Sequence, residues 1–423
     1  MATKKKAEIK NITASYDTGI KYKVPYSFFG SIYDADERRM IAEALKQDTL
    51  TMGPQVVEFE NEFARMCGGG VFARAVSNCT TGMHVATQVM GLGKGDEVIV
   101  TPNTFIATTL VLLKEGVRPV YADINPHTYN IDPAQIAKKI TKRTKAIYVV
   151  HYGGLCCDME PIVKLARKRG LYVLEDCAHA PGAKVRFANG KWMTAGAIGD
   201  IASFSFHSLK NMTTCGEGGM ITTTHQDWVP AIEALRCMNL KHWPGQKDYW
   251  IPSHFDVDDV NGRWGCNYRM NEIQAASGRA QLRKLAKLND LRRKIGFALI
   301  KGLAGVEGIT CASEPSGYRH VFHLFTVCVG KELGCSRDDF LRILAYEEGV
   351  QGILHYQPTY HFTGLKKLGI TGRCPNAEEF FYRREFNIPM HPRLTMKDVR
   401  TMVRAIANTV RKVKAGHRYA PGA

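Results

Sequence analysis

The chain has 423 residues, 45% of them hydrophobic and 23% charged, which fits an ordinary globular protein with one large and one smaller domain. No apolar run approaches the roughly 18 residues needed to cross a bilayer, and MATKKKAEIK has no apolar stretch behind its lysines, which excludes a secretory signal. The formal net charge of +17 is scattered over tracts at 138–145, 165–170 and 291–294, so solvated helix faces come first as its explanation, anion steering second and reading of nucleic acid a distant third.

Residues 1–28 read as a basic, solvated arm. Amphipathic helices follow at 35–47, 57–66 and 81–91, and then EVIV (97–100), PVYAD (119–123) and AIYVV (146–150) read as strands. A helix near 158–169, the strand LYVLED (171–176) and IASFSF (201–206) continue the alternation, which predicts parallel βαβ connections and a helix-covered sheet. The Gly-, Pro- and Asn-bearing stretch from His242 to Gly265 reads as a binding loop. A long helix at 270–300 then links two lobes. The strand HVFHLFTVCV (320–329), a helix at 336–348 and a last helix at 395–413 build a smaller α+β domain. The division is therefore 1–28, 29–290 and 291–423.

Twelve cysteines in a chain without a signal point to a reducing compartment, the cytoplasm. They form no CxxC pair, and Cys156-Cys157 are adjacent, which is poor geometry for zinc; no metal is expected. Cys177, Cys215 and Cys266 read as space-filling residues.

The stretch SFSFHSLKNMTTCGEGGM places one lysine, Lys210, between an apolar strand and a glycine-punctuated turn. Desolvation there favours the neutral amine, which is a nucleophile. A lysine that snorkels out of a strand end is the bland alternative and has equal weight on this stretch alone. Other segments supply what a ring-bearing phosphate cofactor demands. SNCTTGMHVA puts Thr80 and Thr81 at a helix start, where amides and dipole favour an anion, although plain N-capping explains them equally well. Ser205 adds a hydroxyl five residues before the lysine. LEDCAHAPGA ends a strand on Asp176, a carboxylate able to hold a proton on a ring nitrogen or merely to cap a helix, with His179 three residues on. TPNTFIATT offers Phe105 as a stacking face or as core.

Singly these signals are weak, but their order and spacing are not. Together with GPQVVEFENEFA, GLGKGDEVIVTPNTFIATT, PVYADINPHTYNIDP, KAIYVVHYGG and CNYRMNEIQAA, they make residues 30 to 410 resemble the fold-type I pyridoxal-phosphate enzymes. Within these the chain is most similar to the DegT/DnrJ/EryC1/StrS sugar aminotransferases, and its CTTGMH, HYGG, SFSFHSLKN and HVFHLF wording to the UDP-4-amino-4-deoxy-L-arabinose aminotransferase branch. The resemblance implies an α/β large domain with a mostly parallel seven-stranded sheet and a smaller α+β C-terminal domain. It implies that Lys210 holds pyridoxal 5'-phosphate and shuttles the proton, with Asp176 on the pyridinium, His179 near the ring oxygen and Phe105 stacked. It assigns the phosphate to Thr80, Thr81 and Ser205, and to Asn267 reaching across a homodimer. His355 and Tyr356 fall where the family approaches its substrate, a keto-sugar, probable nucleotide carrier included, that receives nitrogen from glutamate or glutamine. Two positions depart from the usual pattern: Cys79-Thr80 replaces Gly-Thr, and His179 replaces the commoner glutamine. A sugar dehydratase would carry histidine in place of Lys210. A cyclitol ketone or free keto-sugar acid remains an alternative acceptor, and a basic regulatory or nucleic-acid-binding protein the alternative outside enzymes.

Overall fold

A strand covered by helices on both faces needs a near-continuous apolar run, and EVIV and IASFS are buried along their whole length. The structure is a computed structural model describing residues 21–242 and 255–419. Its main sheet holds β1 (Phe72–Val76), β2 (Glu97–Val100), β3 (Arg118–Tyr121), β4 (Thr144–Val150), β5 (Tyr172–Asp176), β6 (Ile201–Ser205) and β7 (Gly219–Thr223). Their spatial order is β1-β7-β6-β5-β4-β2-β3. The pairings from β3 through β6 are parallel, and β7 runs antiparallel between β6 and β1. The sheet is thus the mostly parallel seven-stranded one the sequence resemblance implies.

On one face of the sheet Phe59 and Phe63 of the helix Pro54–Cys67 pack on Phe204 and Phe206, with Phe63 and Phe204 meeting edge to face at 4.8 Å. Val98, Val100, Tyr148 and Leu174 pack on the other face, against Val85 and Val111 of two further helices. A second core gathers Ile295, Leu299, Phe325, Phe340, Phe386 and Ile406 around an antiparallel sheet of Ile309–Cys311, Phe325–Val329 and Glu385–Ile388. The helix Glu272–Leu303 belongs to both cores, burying Leu285 in the first and Ile295 to Leu303 in the second. Its Glu272 carboxylate accepts from the amides of Gly53, Gln55 and Val56, so the start of one helix caps another.

Two elements differ from expectation. The strand expected over 320–329 spans only Phe325–Val329. Upstream of it, the amides of Val321, His323 and Leu324 donate to Gly154 and Gly153, so that stretch is drawn onto the loop after β4 instead of a sheet. The helix expected over 336–348 is regular only over Arg337–Arg342 and widens to a π turn over Ile343–Glu347. Residues 1–20 of the expected arm and 243–254 of the expected binding loop lie outside the described residues. Residues 23–31 form a strap across the molecule. Val24 bridges Val350 and is buried in the second core, while the Gly30 amide donates to the Ser208 carbonyl at 2.8 Å. A side chain at position 30 would collide with the carbonyls of Leu209 and Lys210, which explains the glycine. Among the described residues no helix is long and apolar enough to cross a membrane.

Candidate active site

The ends of β5 and β6 and the start of the Cys79–Val89 helix converge on one cleft, the end of a parallel sheet at which α/β proteins bind ligands. Asp176 closes β5 and is 4% exposed. Its Oδ2 accepts from the Thr108 hydroxyl at 2.8 Å and its Oδ1 from the Ala178 amide at 3.0 Å, while the Cys79 thiol lies 4.0 Å from Oδ1. Burial raises its pKa; the two hydrogen bonds and the charge of Lys210 pull the other way.

Lys210 follows β6 in a tight turn, its own amide donating to the His207 carbonyl at 2.9 Å. Desolvation lowers the pKa of its amine, against an opposing pull from Asp176 and Cys79. The amine and the carboxylate act on one another electrostatically, burial disfavouring the charged form of each and each charge supporting the other. Lys210 is half-buried, and the desolvation of its amine weighs against the snorkelling alternative.

Five further side chains gather near this pair. His179 is buried, its Nδ1 accepting from the Gly153 amide at 3.3 Å. Its proton is thus on Nε2, 3.2 Å from the Tyr356 hydroxyl, which accepts it. Burial and the nearby Lys210 hold His179 neutral. The ring of His323 lies 4.3 Å from that of His179, tilted by 32°. Phe105 is 60% exposed and meets Tyr356 edge to face at 6.3 Å, so it is no core residue. His355 precedes Tyr356, its pKa pushed down to about 3 by burial and by Lys210.

The anion-binding features divide. Thr80 is exposed at the first turn of the Cys79–Val89 helix, where backbone amides await an acceptor. Thr81 is occupied: its hydroxyl donates to the Asn78 carbonyl at 2.7 Å and accepts from the Asn78 amide, completing a capping box whose N-cap is Asn78. Ser205 accepts from the His207 amide at 3.4 Å. At Gly219 a side chain would strike the Asn78 backbone, so β7 is held directly beneath the helix start. Asn267 is exposed, and its Oδ1 accepts from the Arg269 amide at 3.4 Å.

Sequence reasoning missed Thr108, which holds the Asp176 carboxylate; its position one helical turn after Thr104, whose hydroxyl lies 2.7 Å away, was the available signal. It also missed His323, and it misjudged two cysteines. Cys177 is buried as expected, but Cys215 and Cys266 are exposed, Cys215 because it occupies a left-handed turn position (φ 57°) whose amide donates to Tyr33. His151, Glu175 and Cys177 lie within 4.8 Å of one another beneath the site. Glu175 there accepts from His151 and from the amides of Gly196, Ile198 and Gly199, an arrangement that already satisfies the carboxylate without a cation.

Three buried imidazoles, of His179, His320 and His323, and the half-buried one of His355 have pKa values lowered in the fold; those of His320 and His355 are pushed from 6.5 to about 3 by burial first. Below about pH 6.5 the unfolded chain protonates them while the folded chain does not, so stability is full above that pH and falls as pH drops toward 3. Urea titrations are expected to show a midpoint that declines below pH 6, by at most about 1.4 kcal/mol per pH unit for each histidine. A His320→Asn variant should decline less steeply; an identical slope would show that His320 titrates alike in both states.

Comparison with known proteins agrees with this geometry. The DegT/DnrJ/EryC1/StrS aminotransferase family model matches residues 31–407. The chain is 36% identical over 379 residues to GDP-perosamine synthase of Caulobacter vibrioides, covering 88% of this chain and 95% of that protein. It is 33% identical over 370 residues to the UDP-N-acetyl-3-dehydro-α-D-glucosamine 3-aminotransferase of Acidithiobacillus ferrooxidans, covering 88% and 92%. Among solved structures, Spr1654 of Streptococcus pneumoniae, assigned as a sugar aminotransferase and solved in its PLP form, superposes with a TM-score of 0.81 at 25% identity, covering 93% and 100%.

Proposed function

Because this chain belongs to the DegT/DnrJ/EryC1/StrS aminotransferase family, we propose that it moves an amino group from glutamate or glutamine onto a nucleotide-linked keto-sugar. The enzyme is a pyridoxal-phosphate-dependent aminotransferase. The observation that carries the reading is the placement of Asp176 at the end of β5 beside β6, with Lys210 near enough that each charge acts on the other.

The residues present fit the cofactor. Asp176, a buried carboxylate held by Thr108 and Ala178, would take its ring nitrogen, Phe105 would cover a ring face, and His179 would sit at the ring oxygen. The amides of the first helical turn, the Thr80 hydroxyl and Ser205 would take the phosphate, with Thr81 contributing through the capping box that orders that turn. Pyridoxal phosphate, when bound, supplies an electron-withdrawing ring that acidifies the C–H next to the transferred nitrogen. Lys210 Nζ, whose charged form burial disfavours, would hold the cofactor covalently and, once released, would carry a proton between the carbons on either side of the transferred nitrogen. Asp176 would hold a proton on the ring nitrogen. His355 and Tyr356 hold the acceptor.

Asn267 is exposed, which leaves it free to complete the phosphate site of a partner subunit in a homodimer. A cytoplasmic location suits such biosynthetic chemistry. The named substrates of the two relatives above support a nucleotide-linked acceptor. Purified protein incubated with UDP-N-acetyl-3-dehydro-α-D-glucosamine or a UDP-linked 4-keto-pentose, and with either glutamate or glutamine, is expected to yield an aminated sugar nucleotide by mass. Amination of a cyclitol ketone but of no sugar nucleotide would overturn the acceptor class and leave the transaminase standing.

A further inference from the structure

His355 is held at three points by groups that the cofactor site does not use. Its amide donates to Glu385 Oε1 at 2.9 Å, and its carbonyl accepts from the Tyr152 hydroxyl at 3.0 Å. Its ring Nδ1 lies 3.3 Å from Asn387 Nδ2. Asn387 is itself oriented from both ends. Its Oδ1 accepts from the Thr326 hydroxyl at 2.8 Å, and its Nδ2 also donates to Glu385 Oε2 at 3.2 Å. Glu385, Asn387 and Thr326 are all buried, on adjoining strands of the second core's sheet.

The arrangement has one consistent hydrogen assignment when Glu385 is ionised, the form that burial disfavours and that the His355 amide and the charge of Arg337 favour. The two oxygens of that carboxylate accept from two different donors, so the amide nitrogen of Asn387 faces them. The same nitrogen then faces His355 Nδ1, which can only accept. The imidazole proton is thereby placed on Nε2, an atom with no hydrogen-bond partner among the described residues. His355 is only half-buried, on the cleft where Lys210 acts on it electrostatically.

We infer that Glu385 and Asn387 are positioning residues that lock His355 in its Nε2–H tautomer, so that the ring offers one neutral donor to an oxygen of the sugar acceptor. The inference rests on the transaminase reading for its ligand, but not for the tautomer. A ring free to turn or change tautomer would present an acceptor half the time and a donor the other half. A locked ring instead discriminates a hydroxyl or carbonyl oxygen from a donor group at that position. Glu385 acts at one remove, since a glutamine in its place has one oxygen for two donors. In Glu385→Gln, Asn387 is expected to turn its oxygen toward His355, moving the ring proton to Nδ1.

The test has two arms on the full-length holoenzyme. In ¹⁵N-histidine spectra at neutral pH, the signal lost in His355→Phe is expected to be an Nε2–H neutral ring in the wild type and an Nδ1–H ring in Glu385→Gln. An Nδ1–H or rapidly averaging ring in the wild type overturns the inference, whatever the enzyme's substrate. In the second arm, the cofactor's visible band is followed on adding glutamate or, for the reverse sugar half-reaction, GDP-perosamine. Glu385→Gln is expected to keep the glutamate half-reaction within twofold and to raise KM for the amino sugar at least tenfold, with kcat changed less. Equal loss in both half-reactions would mean a structural role only and overturn the specificity claim. Wild-type response to glutamate but to no sugar would instead refute the sugar acceptor, leaving the first arm to decide the tautomer.

Discussion

Lys210→Ala is expected to give a folded protein that lacks the covalent cofactor and turns over at least about 10⁴-fold more slowly, since one residue supplies both nucleophile and proton carrier. The fold should survive because, among the described residues, no hydrogen bond from the Lys210 amine holds another element, and removing the amine relieves a desolvation cost. The backbone of the turn keeps its contacts through the Lys210 amide and through the strap at Gly30. Borohydride treatment of the loaded wild type followed by peptide mass should locate the cofactor on the Lys210 peptide, and find none there in the variant. A yellow, borohydride-trappable Lys210→Ala protein would sink the assignment, and a wild type that stays colourless with pyridoxal phosphate would sink it sooner.

Asp176→Asn should separate holding the cofactor from using it. An asparagine oxygen can still accept from the Ala178 amide, and the Thr108 hydroxyl can turn its proton to Thr104, so the local structure has a way to adapt. Lost is the negative charge that stabilises a protonated ring nitrogen. A drop in kcat of about 10³-fold, or ~4 kcal/mol of transition-state stabilisation, is expected while the visible band remains. The same substitution removes the charge that props up the Lys210 pKa, so the amine should titrate at lower pH than in the wild type. Turnover within threefold of wild type would show that Asp176 does not meet the ring.

How much of this was legible in the chain depends on distance along it. Asp176 and Lys210 announce themselves because one ends an apolar strand and the other lies in the turn just past a second, and parallel strands that pair side by side must bring their ends together. Phe105 was ambiguous between core and surface, since a loop residue after a strand carries no periodicity to decide its exposure. Thr81 shows the reverse: its hydroxyl matched an anion site, yet the Asn three residues earlier is an equally local signal for the capping box it actually forms. The hold on His355 could not be read, because Glu385 and Asn387 lie some 30 residues downstream and only sheet register sets them facing it. The strand expected at 320–324 failed for a similar reason, its amides being claimed by glycine carbonyls from the other half of the chain.

The helix Glu272–Leu303 has a mechanical meaning of its own. Thirty-two residues make a rod about 48 Å long, and one half of it cannot melt without freeing the apolar stripe of the other. The two hydrophobic nuclei it skewers should therefore lose structure as one cooperative unit, and any swivel that opens the crevice must bend at loops, because the axle itself is stiff.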